Sequence, residues 1–169
     1  GYQEVVLTGT NIGRYRWDGT DLRGLLQRIL EETAIPRLRL SSLQPHELSP
    51  GIISLWQDSR LCPHFHIPLQ SGCNAVLKAM GRRYSTGDFT RTVAMVREAV
   101  PGAAITTDVI VGFPGEGEEE FAESLAFCQS LDFARIHIFP FSPREGTPAA
   151  TLPQVGEKMK AARVHRMLG

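Results

Sequence analysis

With 169 residues, 42% hydrophobic and 21% charged, the chain has the composition of an ordinary globular protein, long enough for one core and too short for two large ones. Lys plus Arg equals Asp plus Glu at 18 each, so no overall basic field announces a nucleic-acid partner. No apolar run approaches the ~20 residues that span a bilayer and no secretory leader opens the chain, so the expectation is a cytoplasmic protein away from membranes.

In chain order, Glu4–Leu7 reads as a short apolar strand running into the turn Thr8-Gly9-Thr10-Asn11-Ile12-Gly13. After a polar loop through Asp18-Gly19-Thr20, Leu22, Leu25, Leu26, Ile29 and Leu30 recur on one helix face. Arg37–Leu40 is the second strand, followed by Ser41-Ser42 and a helix with Ser49 as N-cap and Pro50 at its first position. His64–Leu69 is the third strand and ends in Gln70-Ser71-Gly72-Cys73-Asn74, where Asn74 is expected to cap a short helix carrying Val76, Leu77 and Met80. A further helix from about Thr86 places Phe89, Val93 and Val96 together until Pro101-Gly102 stops it. The β-branched run Ile105–Val111 has the composition of a strand buried on both faces and ends in Gly112-Phe113-Pro114-Gly115. Acidic residues Glu116, Glu118, Glu119 and Glu120 then open a helix whose stripe is Phe121, Leu125 and Cys128. The last strand, Arg135–Phe141, leads through Ser142–Pro148 to a final basic, amphipathic helix over Glu157–Leu168.

Five strands separated by helices, with no hairpin-length connection, predict an α/β fold with a parallel sheet joined by right-handed crossovers. In such folds the carboxyl ends of strands carry the ligand, and all five ends here are rich in Gly, Ser, Thr, Asn, Gln or Pro. Periodicity leaves a doubly wound sheet and a barrel fragment both open. The chain starts just before a strand and stops within a helical pattern, and the expectation is a fragment of something longer.

Four stretches, in order, carry a resemblance: Leu7–Gly13, Phe65–Tyr84, Thr107–Glu116 and Phe141–Ala149. Together they resemble the radical S-adenosylmethionine methylthiotransferases over nearly the whole chain. The resemblance implies a partial (β/α)6 radical SAM barrel, of which residues 1–169 would hold strands two to six. It implies a parent enzyme that inserts a methylthio group into a modified tRNA adenosine or, in one branch, into a ribosomal-protein aspartate. The block Pro68-Leu69-Gln70-Ser71-Gly72 is similar to the tRNA branches, and Arg39–Leu43 with Cys62-Pro63-His64 is similar to the enzymes acting on threonylcarbamoyladenosine, with isopentenyladenosine next.

Carried over by position, Thr8, Gly9, Thr10 and Asn11 would meet the methionine amino group of S-adenosylmethionine, where backbone carbonyls and a side-chain amide suit an ammonium. Gln70 and Ser71 would offer polar contacts to ribose or carboxylate, or simply cap the next helix. Val111, Gly112, Phe113 and Pro114 would wall the adenine with Asp108 inward behind them, and Ser42 and Phe141 are further rim candidates. The family also requires a Cys-x-x-x-Cys-x-x-Cys loop for a 4Fe-4S cluster, a second cluster in an N-terminal domain and a small C-terminal RNA-binding domain. No such cysteine spacing occurs in residues 1–169, so this chain alone is expected to hold neither cluster, to be inactive, and to keep at most a weakened cofactor pocket.

Cys62, Cys73 and Cys128 fit neither a disulfide framework nor a zinc site and read as free thiols. His64, His66 and His137 read as strand histidines satisfied by hydrogen bonds, with no metal assigned. Lys78, Arg82 and Arg83, and in the tail Lys158, Lys160, Arg163 and Arg166, are candidates for tRNA phosphates or for a solvated face. No stable protein partner is expected. A non-catalytic nucleotide- or phosphate-binding α/β domain would show the same glycine turns and stands as the alternative from another class.

Overall fold

The computed structural model describes residues 1–168, and these run through seven strands and six α-helices. Strand β1 (Val5–Leu7) leads past a single 3-10 turn to β2 (Arg16–Trp17), β3 (Thr20–Asp21) and α1 (Leu22–Glu32). Strand β4 (Leu38–Leu40), helix α2 (Pro50–Ile53) and strand β5 (His64–His66) follow, then α3 (Asn74–Ala79) and α4 (Thr86–Ala99) in succession. The rest alternates as β6 (Ala104–Val111), α5 (Glu118–Ser130), β7 (Arg135–Pro140) and α6 (Glu157–Leu168).

The expectation of no hairpin is corrected. β2 and β3 pair antiparallel, Arg16 with Asp21 and Trp17 with Thr20, around Asp18 and Gly19 at φ 46° and 74°. A two-residue loop with both residues left-handed matches the twist of paired strands, and Asp-Gly adopts it at little cost. The dipeptide was the signal; strands of two residues are too short for alternation to register.

Two compact units divide the chain: unit one holds Gly1–Pro68 and Thr90–Thr106, unit two Leu69–Phe89 and the chain from Thr107 onward. In unit one β1 and β4 pair in parallel, Val5 opposite Leu38 and Leu7 opposite Leu40, and β5 pairs in parallel with the first residues of β6. Leu38 and Leu40 alternate with Arg39, so both leucines are buried while the arginine stays at the surface with Glu4. Leu22, Leu26, Ile53, Leu61, Phe65, Val93 and Val96 are buried with them, and Trp56 stacks at 4.5 Å on Phe65 while its Nε1 donates to Cys62 O. Asp21 caps α1 by accepting from Gly24 N, and Ser49 caps α2 by accepting from Ile52 N; each is worth about 1 kcal/mol.

In unit two β7 lies beside β6, and Gln70 bridges in parallel to Val109. Val109, Val111, Phe89 and Phe121 are buried, and the Phe89 ring meets the Phe127 and Phe133 rings edge-on at 6.5 and 6.0 Å. On α5, Phe121 and Cys128 are buried as expected, but the small Ser124 is buried where Leu125 is only half-buried. Gly72 is the cause: its N–H donates to Ser124 Oγ at 2.8 Å, and a Cβ there would lie 2.7 Å from Ser124 O, so the helix lies flush on that turn. Asn74 does not cap α3. Cys73 stands at the cap position, and Asn74 Oδ1 instead accepts from Thr86 N at 2.9 Å, tying the starts of α3 and α4.

Candidate functional site

In unit two the chain leaves Leu69 and sets Gln70 against β6, with Gln70 N donating to Asp108 O and Ile110 N to Gln70 O. Gln70 holds φ +71°, a left-handed conformation costing a non-glycine residue roughly 1 kcal/mol, and strain of this kind gathers where a side chain must be aimed. Alternation along β6 buries Thr107, Val109 and Val111 and leaves Asp108 and Ile110 half-buried on the other face. Those two, with Gln70, line an open cleft of about 560 Å³ completed by Arg82, Arg144, Ser142, Thr147, Ala149 and the segment Phe139-Pro140-Phe141. An apolar wall thus faces an amide, a carboxylate, two guanidinium groups and two hydroxyls, the mixture typical of small-molecule sites.

Arg82 is the residue that sequence reasoning placed elsewhere. Its neighbours Lys78 and Arg83 are exposed, whereas Arg82 is half-buried and its Nε is buried with no hydrogen-bond partner among the described residues. A buried N–H of this kind costs about 1–3 kcal/mol until an acceptor arrives.

Of the positions assigned by resemblance, Gln70, Asp108 and Phe141 line this cleft. Ser71 is fully buried and its Oγ accepts from Cys73 N. Val111, Gly112, Phe113 and Pro114 are buried; Phe113 packs with Cys73 and Val76, its ring 5.0 Å from that of Phe141. Gly112 sits at φ +74°, and a Cβ there would lie 2.5 Å from Lys160 Cγ, so what approaches this glycine closely is a side chain of α6. The amide of Gly112 donates to Glu116 Oε1 at 2.8 Å.

In unit one, Thr8, Gly9, Thr10, Asn11 and Ser42 are exposed. Because β1 and β4 are parallel and in register, with Ser41 N donating to Leu7 O at 2.9 Å, the two turns emerge at the same end of that strand pair.

Several charged residues have fates other than the predicted ones. Glu116 precedes α5 and is buried, where it pairs with Arg163; α5 itself starts with Glu118. Lys160 is 1% exposed and donates to Phe141 O and Glu157 Oε1, both at 2.8 Å. Arg166 pairs with Glu118 and lies over the Phe121 ring. Three tail cations offered for phosphate are thus engaged within unit two. His66 Nδ1 and His64 Nε2 close on Thr106 Oγ1 at 2.9 and 3.3 Å, and burial lowers the pKa of His64.

A family model for the radical SAM superfamily matches residues 1–128. The chain belongs to the radical SAM superfamily. It is 46% identical over 154 residues to the threonylcarbamoyladenosine tRNA methylthiotransferase MtaB of Thermotoga maritima, covering 90% of this chain and 36% of that protein. It is 38% identical over 170 residues to the tRNA-2-methylthio-N(6)-dimethylallyladenosine synthase of Thermodesulfovibrio yellowstonii, covering 99% of this chain and 39% of that protein. The chain therefore spans little more than a third of the length of the curated relatives it matches. Among solved structures, coproporphyrinogen III oxidase HemN from Escherichia coli, described as a radical SAM enzyme, superposes with a TM-score of 0.68 at 16% identity, over 85% of this chain and 34% of that one. That likeness carries the fold: α/β with parallel strands, the partial barrel of radical SAM enzymes.

The unit-two cleft fits S-adenosylmethionine. The unmet N–H of Arg82 suits the carboxylate of an amino acid, Gln70 and Asp108 suit hydroxyls or an ammonium, and the Phe139–Phe141 wall suits a flat base. The cysteines do not fit an iron–sulfur cluster. All three are buried, burial pushes the Cys128 thiol up to about 12 and raises that of Cys73, and no cluster of three ligating side chains occurs among the described residues.

Proposed function

We propose that this radical SAM chain is the cofactor-binding core of a tRNA methylthiotransferase acting on threonylcarbamoyladenosine, with isopentenyladenosine the next choice. The observation that carries this reading is the 46% identity to a relative named for threonylcarbamoyladenosine, against 38% to one named for dimethylallyladenosine. In this reading residues 1–169 hold strands two to six of the core. The cluster-binding and small RNA-binding domains belong to other parts of the protein, and the chain alone does not run the reaction. The cytoplasm is the corresponding location; no helix among the described residues is long and apolar enough to cross a membrane.

When bound, S-adenosylmethionine supplies the sulfonium chemistry that activation of a carbon–hydrogen bond requires. The residues present hold and orient it. Arg82 takes the carboxylate, Gln70 and Asp108 fix the polar edge of the nucleoside, and Phe141 and Ile110 exclude water from its apolar face. Thr8, Gly9, Thr10 and Asn11 keep the assignment made by resemblance, toward the amino group, and Ser42 keeps that of a rim residue. Lys78 and Arg83, exposed on and after α3, are left for RNA phosphates.

Nucleoside mass spectrometry of tRNA from a strain lacking the full-length gene tests the reading. Loss of the 2-methylthio mark on threonylcarbamoyladenosine is expected. Loss on isopentenyladenosine instead overturns the choice of substrate, and retention of both marks overturns the function.

A further inference from the structure

Unit one carries a second cleft, of about 370 Å³, lined by Arg14, Arg16, Arg23 and His46 together with Gly13, Asp21, Leu22, Glu47, Ser49 and Ile52. Seven arginines of this unit fall into contrasting groups. Arg28, Arg37, Arg39 and Arg60 each pair with a carboxylate, of Glu32, Glu4, Glu4 and Asp58 respectively. Arg14, Arg16 and Arg23 are exposed and make no ion pair among the described residues, although Asp21 and Glu47 line the same cleft. One oxygen of each carboxylate is committed to backbone, Asp21 Oδ1 accepting from Gly24 N and Glu47 Oε2 from Gln44 N, each at 2.8 Å, while Glu47 Oε1 is buried with no hydrogen-bond partner among the described residues. Three guanidinium groups against two carboxylates leave the lining net positive, before His46 is counted.

Two of these arginines are also held in place. Arg23 Nε donates to Gly51 O at 2.9 Å and Arg16 Nη1 to Tyr15 O at 2.7 Å, which orients each planar group and leaves its other N–H donors open. Beside Arg16, on the same two-residue strand, Trp17 is 74% exposed. An indole left in water forgoes burial worth roughly 1.5–3 kcal/mol, which makes it available as a stacking platform. Cations that follow a backbone, with an aromatic ring alongside, are how single-stranded nucleic acid is gripped.

We propose that this cleft, with Trp17 next to Arg16 on β2, binds a single-stranded stretch of the RNA substrate. Arg14, Arg16 and Arg23 take phosphates, and Trp17 stacks on a base. Charge complementarity selects the occupant: a polyanion with flat bases uses both the unpaired arginines and the exposed indole, whereas a free phosphate uses only the former. The inference rests on the tRNA reading above and adds the surface by which the loop is held.

The test uses the full-length enzyme and a fluorescein-labelled anticodon stem-loop, with anisotropy titrations over a range of salt concentrations. The double substitution Arg14→Gln/Arg16→Gln is expected to weaken binding about tenfold or more and to lower the salt slope by roughly 1.4, about 0.7 for each single-strand phosphate contact removed. Arg14→Lys/Arg16→Lys, which keeps both charges, retains that slope. Trp17→Ala weakens binding roughly tenfold with the slope unchanged, as loss of stacking requires. Calorimetric binding of S-adenosylmethionine, unchanged in all variants, controls for folding. If the native enzyme binds the stem-loop and these variants bind it equally well, the cleft is not the RNA surface and the function stands. If the native enzyme does not bind the stem-loop at all, the tRNA reading fails and this inference fails with it.

Discussion

Arg163 reaches from α6 to Glu116, its Nη1 2.7 Å from Oε1 and 3.0 Å from the backbone oxygen, with side-chain exposures of only 4% and 1%. The same Oε1 accepts from Gly112 N, and Lys160, one helical turn back, fills the space beside that glycine. A buried ion pair and a buried lysine stem thus hold the turn that follows β6.

Removing one partner of this pair leaves a charge without a counterion. Arg163→Met is expected to cost roughly 3–5 kcal/mol in urea denaturation near neutral pH, and Arg163→Met with Glu116→Leu far less, since an apolar pair of similar volume avoids the uncompensated charge. Burial already pushes the Glu116 carboxyl above its ordinary range against the pull of Gly112 N–H and Arg163. Without Arg163 that carboxyl takes up a proton more readily, so the single variant should be less destabilised at about pH 5 than at about pH 8. A pH-independent cost would contradict this.

Gly112→Ala meets two separate penalties. The left-handed φ of +74° costs a residue with a Cβ roughly 1–2 kcal/mol, and that Cβ would lie 2.5 Å from Lys160 Cγ. Lys160 is 1% exposed and cannot swing clear. Adding Lys160→Ala to Gly112→Ala should therefore remove the clash and leave the backbone cost. Thermal melts of both variants in the Lys160 and Lys160→Ala backgrounds separate the two.

Glu4 accepts from Arg39 Nε and Arg37 Nε, both at 2.9 Å, and these hydrogen bonds, Arg39 first, lower its pKa from 4.5 to about 2. The folded state therefore holds the proton less tightly than the unfolded one. Its contribution is present above pH 4.5 and is lost as pH falls through about 2. In Glu4→Gln the melting temperature should start lower at neutral pH and fall less steeply over that interval; parallel curves for the two proteins would remove the pair from the account of acid stability.

Arg82 gives the cofactor cleft its most specific test. In the full-length enzyme Arg82→Gln is expected to weaken S-adenosylmethionine about tenfold in calorimetry, the size of one charge-assisted hydrogen bond. A cofactor analogue lacking the carboxylate should bind both proteins alike. An analogue that still distinguishes them would move Arg82 to another part of the ligand.

Much of this was legible in the residues alone. Apart from the β2–β3 hairpin, the order of strands and helices follows from local periodicity, α1 from Leu22, Leu26 and Ile29, and β6 from its β-branched run, because each pattern is complete within a few residues. The radical SAM resemblance lay in the turns after strands, where backbone demands restrict which residues fit. What sequence could not assign was the fate of single charges and small residues. Glu116 and Arg163 lie 47 residues apart, and nothing local distinguishes Arg163, which is buried, from Lys158, which is exposed. Likewise Arg82 and Arg83 are adjacent and chemically alike, yet one turns toward the cleft and the other is exposed. Gly112 reads as room for a ligand until α6 places Lys160 against it. The reason is physical: an element forms from the periodic burial of its own side chains, but a charge is buried only where a partner from a distant segment meets it, and that meeting exists only in the folded chain.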